Sequence, residues 1–197
     1  YASAQSYYIQ VMPLARETNQ IRLLISALSN AANLEYDLEN FSKAKSYLEE
    51  ARELCEKFGG KKELSHTILS LANNASQEKE YTLAEKYNLQ SLRIGREAGY
   101  SRMVLHSLSN LGNLHEINED YSAALVYFME GLEIADNDQN QWDSEKFSSS
   151  IGQILIKQHK HRRAAPYFVR VLNSNSDNFD ATIISLIGYC QIIFEED

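Results

Sequence analysis

The chain has 197 residues, of which 44% are hydrophobic, with only 2 Pro and 8 Gly, a composition that suits a soluble, mostly helical body with enough chain to bury a core. Against 27 Asp and Glu stand 19 Lys and Arg, a formal charge of -8 that argues against a polyanionic partner such as nucleic acid, whose phosphates need basic side chains to neutralise them. No stretch approaches the ~20 apolar residues of a membrane helix, and Cys55 and Cys190 form no paired framework, so a reducing, cytoplasmic setting is expected, with both cysteines acting as small hydrophobes.

Apolar residues recur at helical spacing throughout and predict helices at 2–17, 21–37, 41–57, 62–78, 82–97, 102–118, 122–136, 143–158, 162–173 and 178–194. The first already belongs to a repeat, because Tyr1, Ala4 and Tyr7 stand forty residues before Phe41, Ala44 and Tyr47. The chain is therefore expected to be a fragment that opens on the second half of a unit. Pro13 lies inside this helix and removes a backbone donor, which predicts a kink or break before Asn19.

The second and third helices complete one unit, and the forty-residue offset carries it forward. Phe41-Ser-Lys-Ala44, Tyr81-Thr-Leu-Ala84, Tyr121-Ser-Ala-Ala124 and His161-Arg-Arg-Ala164 correspond, as do Tyr47, Tyr87, Tyr127 and Tyr167. So do Ala32, Ala72, Gly112 and Gly152. Each second helix ends where a left-handed residue fits, at Asn19, Gly59 and Gly99, and short polar turns such as Asn118-Glu-Asp120 make the paired helices antiparallel neighbours. In the sixth and seventh helices Gly112 and Ala124 mark a close crossing, with Tyr127 and Phe128 filling the space toward the next unit. Pro166, near the start of the ninth helix, is expected to bend it unless the helix begins at about Ala164.

The pattern Leu108-x-x-Leu111-Gly112-x-x-His115 followed by Ala124-x-x-x-Phe128 resembles the tetratricopeptide repeat, with Leu for the usual Trp and His for the usual Tyr. The likeness is looser in the other units and extends over nearly the whole chain. The unit here has 40 residues instead of 34 and lacks the closing Pro, so it is similar to the longer units of kinesin light chains, spindle-orientation adaptors and bacterial peptide-sensing regulators. HEAT and armadillo units have comparable length but not this pattern of small residues and Tyr. The resemblance implies an all-α fold, a right-handed α-solenoid of antiparallel helix pairs. One such solenoid would span 1–197, with 1–19 as the second helix of a truncated repeat. Repeats would follow at 20–59, 60–99, 100–139 and 140–176, and 177–197 would be the first helix of another.

Catalysis needs converging nucleophile, base and orienting group, or a metal cluster with ligand spacing, and neither is legible. Of the five His, His159 and His161 point apart on a helix and are flanked by Lys160 and Arg162, so no metal and no cofactor is expected and the chain is not expected to be an enzyme. The basic run 157–163 reads as a solvated turn between two helices, with a site for phosphate or an acidic partner as the alternative.

A stronger signal lies on the first helix of each unit. Asn33, Asn73, Asn113 and Gln153 share the offset; Asn30 and Asn110 stand about one turn earlier, His66 aligns with His106, and Glu116 lies on the same expected concave side. A carboxamide both donates and accepts, so it can read the backbone of an extended peptide whatever side chains that peptide carries. By resemblance, Asn at such places holds peptide in tetratricopeptide proteins. The expected function is a protein- or peptide-binding scaffold without nucleic-acid or membrane partners. The alternative is a regulatory or sensor segment of a larger signalling protein, such as a transcription regulator or cyclic-nucleotide enzyme, acting through self-association.

Overall fold

The computed structural model describes residues 2–174 and 178–195; residues 175–177 and 196–197, where two of the expected repeats end, lie outside the described set. Among the described residues there are ten helices and no strand: α1 Ala2–Glu17, α2 Ile21–Asp37, α3 Phe41–Phe58, α4 Lys61–Gln77, α5 Tyr81–Glu97, α6 Ser101–Ile117, α7 Tyr121–Asn137, α8 Gln141–Lys157, α9 His161–Leu172 and α10 Phe179–Glu195. All ten expected helices are present, with ends displaced by at most two residues. The chain divides into two compact units, residues 1–107 and 108–197.

Consecutive helices pack in pairs because each carries a small-residue stripe that a neighbour's larger side chains can reach. In residues 1–107, Ala15, Leu24, Leu28, Ala31 and Ala51 form one buried cluster, with Tyr8, Val11, Tyr47 and Leu54 against it. In residues 108–197 the core is built around Phe128, Phe147 and Phe168, all essentially without solvent exposure. Glycines receive these rings: a Cβ on Gly112 would stand 2.2 Å from Phe128 Cε1, one on Gly131 2.3 Å from Phe147 Cζ, and one on Gly152 2.4 Å from Phe168 Cε1. The close crossing at Gly112 is thus as expected, and the partner of Gly112 is Phe128.

The turns depart from expectation. Asn19 and Gly99 do adopt positive φ, 54° and 62°, but Gly59 is extended at φ -90° and ψ 173° and so is not the left-handed cap expected. Its amide still closes on Cys55 O at 2.9 Å, and α4 begins after two extended glycines. Left-handed residues also stand where none was expected, at Glu39, Lys79, Glu119, Gln139 and His159. Each ends a helix by the same pair of bonds. For Glu39, its own N–H donates to Tyr36 O at 2.9 Å and that of Asn40 donates to Glu35 O at 2.8 Å, which satisfies carbonyls the helix would leave open. A side chain in this conformation costs roughly 1–2 kcal/mol. Lys79→Gly is therefore expected to raise stability by about 1 kcal/mol, seen as a higher midpoint in urea unfolding, whereas Gly99→Ala should lower it by a similar amount.

Of the kink or break expected at Pro13, a break is absent, since α1 continues to Glu17, and α9 likewise runs through Pro166. Each proline removes one N–H from the ladder, and the remaining turn-to-turn bonds and the packing of Met12 and Ala15 keep α1 helical beyond it. Glu35 is buried beside the α2–α3 turn, where it accepts from Lys43 Nζ at 2.6 Å and Asn40 Nδ2 at 2.9 Å, so its charge is compensated in place.

Candidate functional site

In residues 1–107, α2 buries Leu24, Leu28, Ala31 and Ala32 and leaves Ser26, Asn30 and Asn33 exposed on the opposite stripe. The corresponding stripe of α4 exposes Lys62, His66 and Asn73. Asn33 and Asn73 therefore occupy matched, exposed positions, as the forty-residue offset requires. A cleft of about 400 Å³ opens between the two helices, lined in part by Ser26, Ser29, Asn30, Lys62, His66 and Tyr100. It brings Asn30 and His66 together, while Asn33 and Asn73 are not part of its lining. Lys62 Nζ sits 5.3 Å from the centre of the Tyr100 ring. His66 is exposed at one edge, but the surrounding chain, and secondarily the Arg102 guanidinium, push its pKa below the ordinary value and favour neutral imidazole. His106 is exposed near the start of α6.

In residues 108–197, Asn113 is exposed, and Asn110, Glu116 and Gln153 are half-buried. Glu116 accepts from Lys157 Nζ at 2.8 Å, and that bond raises the lysine's pKa. A second cleft, of about 310 Å³, is lined by Glu116, Gln153, Ile156, Lys157 and Ile187 among others. It unites Glu116 with Gln153 but includes neither Asn110 nor Asn113.

Lys62, Tyr100 and Arg102 escaped the sequence reading, although a signal for two of them was present. Arg22, Lys62 and Arg102 are forty residues apart and occupy the second position of α2, α4 and α6. Among the described residues no group of three or more His, Cys, Asp and Glu gathers as a metal site would, and no helix is long and apolar enough to cross a membrane. The chemistry on display in the two clefts is hydrogen bonding and charge.

The sequence profile of the tetratricopeptide repeat matches residues 23–96 and again 63–137. No curated protein matches the chain. Solved structures do. BtubC (BKLC) from P. vanneervenii superposes with a TM-score of 0.82 at 19% identity, over 97% of this chain and 80% of that one. The apo form of RapI gives 0.77 at 16% identity, over 98% of this chain and 62% of that one. The Rap conjugation gene regulator of plasmid pLS20, solved in complex with the Phr* peptide, gives 0.64 at 13% identity, over 93% of this chain and 57% of that one. At such identities the likeness concerns the fold.

Proposed function

We propose, from the premise that this chain belongs to the tetratricopeptide repeat family, that it is a non-enzymatic binding module which holds an extended peptide on the exposed stripe of its first helices. The observation that carries this reading is the exposure of Asn33, Asn73 and Asn113 at equivalent places in α2, α4 and α6, next to positions that are buried. Asn is a poor residue for a helix interior, and an exposed carboxamide offers a peptide group both partners it needs. The complex of the pLS20 Rap regulator with a peptide supports the reading by analogy of fold. Asn30, Asn110, Gln153, His66, His106 and Glu116 would flank the bound chain, and a cytoplasmic location would suit such a module. We also retain the division into repeats at 20–59, 60–99, 100–139 and 140–176 as part of this proposal.

A second reading, self-association within a larger signalling protein, draws on Val126 and Met129, which expose 64% and 52% of their surface side by side on α7. The two readings separate experimentally. Each Asn→Ala change should weaken a peptide selected from an array by about 0.5–1.5 kcal/mol, the net worth of an ordinary hydrogen bond, with helicity unchanged. Unaltered affinity in the triple variant would remove the peptide reading, and a shift in sedimentation of Val126→Ser with Met129→Ser would favour the other. A pH effect should accompany binding. Because the imidazole of His66 is held below its ordinary pKa, acidic peptides should gain affinity only as pH falls below about 6.5, where the ring takes up a proton. Basic peptides should not gain, and His66→Gln should reduce the effect, as affinity measured across pH would show.

A further inference from the structure

Forty residues separate the turns that join the two helices of each pair, and three of these turns are acidic: Asp37 and Glu39 follow α2, Glu78 and Glu80 follow α4, and Glu119 and Asp120 follow α6. The turn after α8 is basic, with His159 and Lys160 leading into His161, Arg162 and Arg163. Of these, His159, Lys160, Arg162 and Arg163 are exposed, and none forms an ion pair among the described residues. Their placement does not serve the helix they open. Lys160 stands at the N-cap of α9 without a side-chain bond, and Arg162 and Arg163 lie in its first turn, where the helix dipole disfavours cations. At the equivalent cap of α7, Asp120 accepts from the Ala123 amide at 3.1 Å.

In residues 108–197 the basic turn lies beside an acidic one. Lys157 donates to Glu116 at 2.8 Å and so ties the end of α8 to the end of α6, and Glu119 acts on the same lysine from further off. Outside that pair, Glu119 is exposed on one turn and Arg162 and Arg163 on the next, and Ile117 exposes 56% of its surface at the end of α6. The edge thus carries both signs of charge and an apolar residue close together. An isologous contact needs this self-complementarity, because a two-fold axis lays each part of the patch on its neighbouring part in the other copy.

We propose that this edge, formed by the α6–α7 and α8–α9 turns, is a two-fold contact between copies of the chain, with Arg162 and Arg163 of each copy facing Glu119 of the other and Ile117 beside them. A second copy fits the edge better than a nucleic acid or another long polyanion, which would run from the basic turn onto Glu119 and Asp120 and be repelled there. The inference is independent of the peptide-binding reading, and it gives self-association a surface distinct from Val126 and Met129 of α7. Exposed charge pairs contribute little each, so the contact is weak and sensitive to salt.

Sedimentation equilibrium of the whole chain tests this. At about 10 mM salt, where charges act over roughly 30 Å, the average mass should rise with concentration from 22.5 kDa toward twice that value. At about 1 M, where charges are screened beyond roughly 3 Å, it should stay near the lower value. Arg162→Glu with Arg163→Glu makes both turns acidic, whereas Glu119→Lys makes the edge more basic. Either variant alone should weaken association by about tenfold or more, because like charges then face each other. An equimolar mixture of the two should restore it, since opposite charges meet in both halves of the contact. Glu53→Lys, an equal change of charge on an exposed residue of α3, should neither disturb the parent nor rescue the arginine variant. The left-handed backbone of Glu119, φ 59°, tolerates lysine as it does at Lys79, φ 61°, and carboxylates in the first turn of α9 favour the helix, so all variants should melt no lower than the parent. A parent that remains a monomer at low salt would overturn the proposal. So would association that survives both charge variants and yields to Val126→Ser with Met129→Ser. Rescue by Glu53→Lys as complete as by Glu119→Lys would also overturn it, by reducing the effect to net charge.

Discussion

Gly112→Leu is expected to unfold residues 108–197 at a much lower urea concentration than the parent protein. The first added carbon would stand 2.2, 2.5 and 2.6 Å from three atoms of the Phe128 ring. That ring cannot retreat, because it is fully buried and lies with its centre 6.4 Å from that of Phe147. Overpacking of a tight core costs about 1–3 kcal/mol, and more where the neighbour is rigid; here the upper part of that range or beyond is expected. Asn113→Ala, on the adjacent residue, should cost almost nothing, since its side chain faces solvent. Relief is also expected: Phe128→Leu should lose stability alone but make Gly112→Ala far better tolerated than in the parent. Comparable midpoints for Gly112→Leu and Asn113→Ala would show that the ring has room to move.

The opposite manipulation should be as damaging. Phe168 is fully buried, and its ring is received by two glycines, Gly152 on α8 and Gly188 on α10, whose Cβ positions would fall 2.4 and 2.3 Å from it. Phe168→Ala removes the group on which both helices rest and leaves a void that backbone cannot fill, for which about 3–5 kcal/mol is typical. Hydrogen exchange should show where the loss falls. Amides of α8, α9 and α10 should lose protection, whereas those of α2 and α3 should keep theirs, since each helix pair is stabilised by its immediate neighbours. A uniform loss across all ten helices would mean that the chain opens as one cooperative block.

Helices were legible in this sequence because their signals are redundant: the apolar spacing, the small residues and the offset of forty all give the same boundaries. Turns carry a single residue's worth of information, and there the reading failed. Gly59 looks like a left-handed cap, but the next residue is also glycine, and the pair extends instead. Glu39 and Lys79 look like unfavourable left-handed residues, yet two carbonyl acceptors and the docking of the next helix hold them so. The candidate face was legible in part. Asn33, Asn73 and Asn113 are exposed as the offset suggests, but the clefts beside them gather Asn30 with His66 and Glu116 with Gln153, groupings that depend on where neighbouring helices lie. Lys62 was passed over because a lysine in an amphipathic helix reads as solubilising until it is seen against the Tyr100 ring beside a cleft.

The seating of rings on glycines has a consequence for how such a chain can diverge. Sixteen residues separate Gly112 from Phe128 and Gly152 from Phe168, and at the same spacing the earlier repeats hold Ala32 with Leu48 and Ala72 with Asn88, all buried. Where the first residue grows by a methyl, the second is no longer a ring. Neither can drift alone, because an intermediate with Ala and Phe collides and one with Gly and Leu is hollow. The two positions are thus inherited as one character, and a repeat duplicated or recombined at a point between them would inherit half of it. Exchange points inside these intervals should be the costly ones, and the turn after α7 is no exception, because Gly131 and Phe147 span it at the same spacing.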